Sequence, residues 1–259
     1  MSGGRTRRGQ RTLRPVRPEA HQVLLHYLDA DGAERRAGVA AAAEEAFEHA
    51  RPARAIPSYP GQRNAPGRYW AATTGRVVHY ESFLELQNFK LLDYDQEVAG
   101  FAAQPFLIEA RDGLGAWVHT PDVFVRRRDG TALVVDVKPR ALTMRPDVAL
   151  QFWRTAEVCA RAGWDYRVAC EIDPLQWATL SWLSGYRRPL HAQADLAGAL
   201  LDHAHQPVTI GELTSRLPCP ERARPVVFHL MWHHHLAFDA SRPLRDHTRV
   251  WATGLERNA

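Results

Sequence analysis

The sequence predicts an α/β fold, a mixed central sheet flanked by helices, with a small helical domain after it. Three observations lead there. Two short β-branched runs, residues 123–125 and 132–137, are joined by the turn residues Arg128-Asp129-Gly130, as in a hairpin. Helical periodicity flanks them on both sides, over residues 80–94 and 146–162. Beyond Pro174 the strand signal gives way to short helix-like stretches.

Taken in order, residues 44–50 form a short helical patch. Arg51-Pro52-Ala53-Arg54 and a passage with Pro57, Pro60, Gly61, Pro66 and Gly67 then close an N-terminal region. The core begins near Tyr69-Trp70. Its first helix, residues 80–94, has apolar positions Phe83, Leu84, Leu86, Phe89, Leu91 and Leu92, with Glu81 and Glu85 one turn apart. Asp93 and Asp95 cap or end it. A strand follows over 98–102 or 106–110, with Glu109 flanking it, and then the hairpin. The next helix runs from Pro146 to Ala162, with Val148, Leu150, Phe152, Val158 and Cys159 on its apolar face, Asp147 in its first turn and Gly163 as its stop. Residues 166–170 are a strand, and Trp153 and Trp164 read as packing residues. Helices over 175–183, 194–203, 210–217 and 226–236 precede a short hairpin reaching Val250-Trp251, an order that resembles a winged-helix or helix-turn-helix module.

The chemistry concentrates on one lysine. The chain has 33 basic residues, yet only Lys90 and Lys138 are lysines. Lys138 closes the run Val134-Val135-Asp136-Val137-Lys138, where a period of two puts Asp136 and Lys138 on one face of a strand. Asp122 heads the preceding strand, after Pro121. Phosphodiester hydrolysis needs hard divalent cations to neutralise phosphate charge and acidify the attacking water, and such ions take oxygen ligands. Asp122 and Asp136 supply oxygens, while a compact ammonium suits orientation of water or stabilisation of the pentavalent phosphate better than an arginine fork does. The competing reading is a structural salt-bridge cluster. Against it, clustered carboxylates without a cation repel one another and raise their own pKa values.

Pro121-Asp122, a gap, then Asp136-Val137-Lys138 is the pattern of the PD-(D/E)xK nucleases. Thr74-Gly75-Arg76-Val77-Val78-His79, Ser82-Phe83-Leu84-Glu85-Leu86, Gln104-Pro105 and the Pro139 that follows Lys138 closely resemble the TnsA endonucleases of heteromeric transposons. The resemblance implies a restriction-endonuclease-like core with Glu85, Asp122 and Lys138 as catalytic residues. It decides for Glu85 over Glu81, whose bland reading is a solvated surface glutamate. The position two before the lysine varies in that family, some members having glutamine; here it is Asp136, as in ordinary restriction-type nucleases. Glu85, Asp122 and Asp136, with the Val137 carbonyl, would hold Mg²⁺, for which Mn²⁺ substitutes, and Lys138 would assist water attack.

Composition agrees. A chain of 259 residues has room for one good core and a smaller domain. The expected division is 1–68 as basic arm and extension, 69–173 as nuclease domain, and 174–259 as a winged-helix-like domain for partner and DNA binding. No apolar stretch approaches the roughly 18 residues of a membrane span, and the arginine-rich start lacks a signal-peptide core, so a cytoplasmic, nucleoid-associated protein with no membrane partner is expected. Cys159, Cys170 and Cys219 are too few and too scattered for a disulfide framework or zinc ribbon and read as core filler. Net charge is only +4, but Arg5, Arg7, Arg8, Arg11, Arg14 and Arg17 precede the first acid, Glu19. That segment reads equally as a solvated tail or a phosphate-binding arm. His229 and His233-His234-His235 are set aside as metal ligands, since no cysteine or carboxylate stands at ligand spacing, and read as an exposed or partner-facing helix edge.

The resemblance implies an enzyme that cuts the 5′ ends of a transposon, with transposon-end DNA, a TnsB-like DDE transposase and a TnsC-like AAA+ ATPase as partners. Trp182, Tyr186, Trp232, Arg187, Arg188, Arg222 and Arg224 are candidates for the docking surface. The rivals are a stand-alone nuclease of restriction, repair or phage defence, and a non-catalytic DNA-binding adaptor.

Overall fold

The computed structural model describes residues 23–54, 65–190 and 195–253. The arginine-rich start and most of the Pro/Gly passage lie outside them. The chain separates into two compact units, divided between Glu171 and Ile172. The first contains β1 (Leu24–Leu28), β2 (Glu34–Gly38), α1 (Val39–Ala42), β3 (Gly67–Ala71), β4 (Arg76–Tyr80), α2 (Phe83–Tyr94), β5 (Val98–Ala103), β6 (Phe106–Asp112), β7 (Gly115–His119), β8 (Val123–Arg127), β9 (Ala132–Val137), α3 (Pro146–Ala162) and β10 (Asp165–Ala169). The second contains α4 (Pro174–Leu183), α5 (Asp195–Asp202), β11 (Val208–Thr209), α6 (Ile210–Ser215), α7 (Pro220–Trp232), β12 (Leu236–Phe238) and β13 (Arg249–Ala252).

The predicted hairpin forms. β8 and β9 pair antiparallel with Val123 opposite Val135 and Phe124 opposite Val134. Gly130, at φ +87°, takes the left-handed turn position that a side chain would strain. Both strand candidates after α2 are strands, but they part company. β5 joins the central sheet, in the order β10-β9-β8-β5, whereas β6 joins a second sheet, β2-β1-β6-β7. β9 and β10 run parallel, with α3 as the crossover between them.

Strand alternation sorts the core into two layers. Phe124, Ala132 and Val134 face α3 and the second sheet, packing with Ile108, Val158 and Trp164. Val123, Val125, Leu133 and Val135 face the other way, onto Phe89 and Leu92 of α2 and Tyr69 of β3. The expected N-terminal extension is part of this core. β1 is buried along its length, and Phe47 contacts Phe106, Phe124 and Trp164 with ring centroids 4.8, 5.5 and 5.7 Å away. Burial of that one aromatic ties residues 24–53 to the strands that carry the acids.

Several local expectations are corrected. α2 begins at Phe83 with Ser82 as its N-cap, so Tyr80 ends a strand and Glu81 lies before the helix. Phe83 and Trp153 are 55% and 58% exposed, since each stands off the apolar stripe of its helix. Asp95 does end α2, but Asp93 is buried and accepts bonds from the Tyr69 hydroxyl and the Ala72 and Thr73 amides, anchoring the β3–β4 hairpin. Glu109 is buried within β6, 2.8 Å from His26 Nε2. α3 matches its expected bounds, with Pro146 in its first turn and Gly163 at φ +73° as the left-handed stop.

In the second unit, Asp173 caps α4 through the Leu175 and Gln176 amides, and Thr209 with Glu212 forms a capping box on α6. The last helix starts at Pro220, ahead of the expected Val226, and Leu236 belongs to a strand. β13 pairs with both β11 and β12. Trp232 is buried in this unit's core and is no surface anchor. His229 and His233 are half-buried, their rings bonded to the carbonyls of Tyr186 and Arg187, so they tie α7 to the turn after α4. Cys159 is buried and the other two cysteines are half-buried and free. No helix among the described residues is long and apolar enough to cross a membrane.

Candidate active site

The β8–β9 register ends with Val123 opposite Val135, and carried one residue further, just outside β8, it sets Asp122 opposite Asp136. Two carboxylates in direct cross-strand opposition are destabilising unless something offsets their charge. Asp122 also turns one oxygen back on the neighbouring strand: Oδ2 accepts the Val137 amide at 2.7 Å. The Lys138 amide donates to the Ala169 carbonyl at 2.9 Å, which extends the β9–β10 pairing to the lysine. Lys138 is half-buried, and its ammonium has no ion-pair partner among the described residues.

All four predicted side chains, Glu85, Asp122, Asp136 and Lys138, line one cavity of about 580 Å³, and Val137 lines it too. Glu85 comes from the first turn of α2, where it does two jobs. Its carboxylate accepts the Ser82 hydroxyl at 2.8 Å and the Glu81 amide at 3.0 Å, while its own amide donates to Ser82 Oγ. Ser82-Phe83-Leu84-Glu85 is therefore also a helix-capping pattern, a structural role that the family resemblance masks.

Electrostatics mark the acids. Asp122 is pushed well above the usual carboxylate range by loss of water, then by the Asp136 charge and more weakly by Glu85; the Val137 amide and Arg54 oppose the shift. Glu85 is raised by burial, against the bonds from Glu81 and Ser82. Repulsion of this kind is what a bound cation relieves.

Residues outside the predicted set surround the acids, with Arg54, Glu81 and His119 lining the cavity itself. Glu81, far from being a solvated surface group, pairs with Arg54 at 2.7 Å and accepts from Gln104 Nε2 at 2.9 Å. Gln104, at φ +49°, also accepts the Ala53 amide and donates its own amide to the Asp122 carbonyl, bracing the strand that carries the acid. His119, at the end of β7, places Nε2 2.9 and 3.0 Å from the two oxygens of Asp136, and Tyr166 of β10 donates to Asp136 Oδ2 at 2.7 Å. Asp136 is only 2% exposed. Burial beside this carboxylate drives the Tyr166 phenol far upward, so it stays a donor. Nothing in local sequence flags His119 or Tyr166, which meet Asp136 only through the sheet.

Glu85, Asp122 and Asp136 are hard oxygen donors in kind and suit magnesium or manganese. Among the described residues, no three His, Cys, Asp or Glu side chains stand as a ready-made ligand set for one ion. A scan with protein-family models and a search of curated proteins return no match.

Proposed function

We propose that this protein is a metal-dependent DNA endonuclease of the PD-(D/E)xK kind, acting as the TnsA-like subunit of a heteromeric transposase that hydrolyses phosphodiesters at the 5′ ends of the element. The observation that carries the proposal is Asp122 opposite Asp136, with Glu85 and Lys138 lining the same cavity. The order α2, β5, β8, β9, α3, β10, with three antiparallel strands and a parallel fourth, supports a restriction-endonuclease-like core. The order α5, β11, α6, α7, β12, β13 supports a winged-helix-like second unit.

On this reading Glu85, Asp122 and Asp136, with the Val137 carbonyl, hold magnesium, which supplies charge neutralisation at the phosphate and a more acidic water. Lys138, which has no ion-pair partner among the described residues, would orient the attacking water or meet the charge developing on phosphate oxygen. Arg54 and Glu81 line the same cavity. DNA, a TnsB-like transposase and a TnsC-like ATPase are the partners, the TnsA resemblance being the support for the last two.

The test is nicking of supercoiled plasmid, or of transposon-end DNA with the partner proteins supplied. Magnesium or manganese should support cleavage, calcium should permit DNA binding without it, and Asp122→Asn should abolish it. Cleavage at full rate in excess chelator would remove the metal-dependent reading.

A further inference from the structure

The Asp136 carboxylate is held from two elements at once, β7 and β10. A carboxylate offers about four lone-pair positions over its two oxygens. His119 Nε2 is nearly equidistant from both, at 2.9 and 3.0 Å, and the Tyr166 hydroxyl takes a second position on Oδ2 at 2.7 Å. Oδ2 is thereby filled, and Oδ1 keeps one position. Gln151 Nε2 of α3 packs beside the imidazole, 2.6 Å from His119 Nδ1 and 3.4 Å from His119 Nε2. An ionised carboxylate accepts and does not donate, so the ring proton that makes this contact sits on Nε2, facing Asp136.

His119 and Gln151 both line the acid cavity. The histidine side chain is 12% exposed and that of Asp136 3%, so water competes little for either. The cage joins β7 of the second sheet, β9 and β10 of the central sheet, and α3. These elements meet in the core layer that contains Ile108, Val134, Val158 and Trp164, which gives the cage a rigid frame. An acid directly opposite Asp122 tends to swing away from it, and the cage fixes where Asp136 stays.

We infer that His119 is a positioning residue which, with Gln151 and Tyr166, holds Asp136 so that it offers one oxygen, Oδ1, to a divalent cation. This rests on the nuclease reading above. Partners of metal-bound carboxylates in other proteins set affinity through such bonds, and their loss typically costs about 10–100-fold. The β6–β7 hairpin that delivers His119 is thus functional as well as structural.

The test is Mn²⁺ binding to the full chain without DNA, by calorimetry or by the loss of free-ion electron paramagnetic resonance signal. His119→Ala should weaken binding about 10–100-fold, and His119→Gln, which keeps an N–H donor, should recover part of that loss. In an Asp136→Asn background His119→Ala should cost nothing further. Tyr166→Phe, which deletes one hydroxyl and leaves the ring in place, should weaken binding in the same direction and decides the matter if His119→Ala fails to fold. Unchanged affinity in folded His119→Ala and Tyr166→Phe, or an equal loss in the Asp136→Asn background, overturns the positioning role while leaving the nuclease reading intact. If the wild type binds no Mn²⁺ in a manner that Asp122→Asn removes, the nuclease reading itself falls, and this inference with it.

Discussion

At the scale of single residues, Lys138 and Asp122 carry the most direct tests. Lys138 lines the acid cavity and has no ion-pair partner among the described residues, so removing its ammonium strands no described partner. Lys138→Ala should fold normally, bind DNA nearly as well as wild type, and cleave roughly 100-fold or more slowly, because the charge acts on the transition state. Lys138→Arg should restore little. Comparable single-turnover rates for wild type and the alanine variant would reassign the lysine to structure. Asp122 gives a stability test whose sign is fixed by its raised pKa. A carboxyl that binds its proton more tightly when folded contributes less to stability as pH rises through the window between its ordinary and its raised value. Metal-free Asp122→Asn should therefore melt higher than wild type at pH 7, at about 2–4 °C per kcal/mol for a domain of this size. The gain should vanish below the ordinary carboxylate range, where both states are protonated. Added Mn²⁺ should raise the wild-type melting temperature and leave that of the variant unmoved.

At the scale of elements, the start of α2 combines a cap with a candidate ligand. Ser82 accepts the Glu85 amide and donates to the Glu85 carboxylate. Ser82→Ala should cost about 0.5–2 kcal/mol, measured by urea denaturation, and should also slow cleavage, because Glu85 loses a bond that orients it. A loss of stability with unchanged cleavage would show that the cap does not position the acid. The hairpin and α3 were legible because their signals are local: β-branched runs around Asp129-Gly130, and Pro146 and Gly163 at the ends of one amphipathic period. The start of α2 was less legible. Tyr80 and Glu81 fit the helical pattern, yet Tyr80 pairs with Gly67 in the β3–β4 hairpin. The end of the Tyr80 ring occupies the space that a Cβ at position 67 would take, so a side chain there would push the ring aside.

For the whole molecule, division between Glu171 and Ile172 lies two residues from the boundary expected at 173/174. A fragment ending at Asp173 should keep its fold and its Mn²⁺ affinity, but should lose association with the TnsC-like ATPase and lose transposition. A pull-down and a transposition assay on that fragment decide it, and full ATPase binding by the fragment would move the partner surface to the first unit. Among the candidate docking aromatics of residues 174–259, Trp182 is the exposed one. It is 54% exposed and stands edge-on to Phe228 at 5.7 Å, whereas Trp232 is spent on the core.

The sequence by itself determined the hairpin, the long crossover helix, the order of helices in the second unit and the acid-acid-lysine set, because each is written in neighbouring residues or in a fixed strand period. It also named Glu85, through a resemblance and not through helical geometry. Only the tertiary structure decided that β5 and β6 enter different sheets, that Phe47 locks the N-terminal strands against the central sheet, and that Glu81 faces Arg54 inside the cavity. It alone brought His119 and Tyr166 to Asp136, across separations of 17 and 30 residues, and Gln151 to His119. The physical reason is that strand pairing across a sheet, and the packing of a second sheet on it, are set by burial of surfaces distant in sequence, for which a single chain carries no local mark.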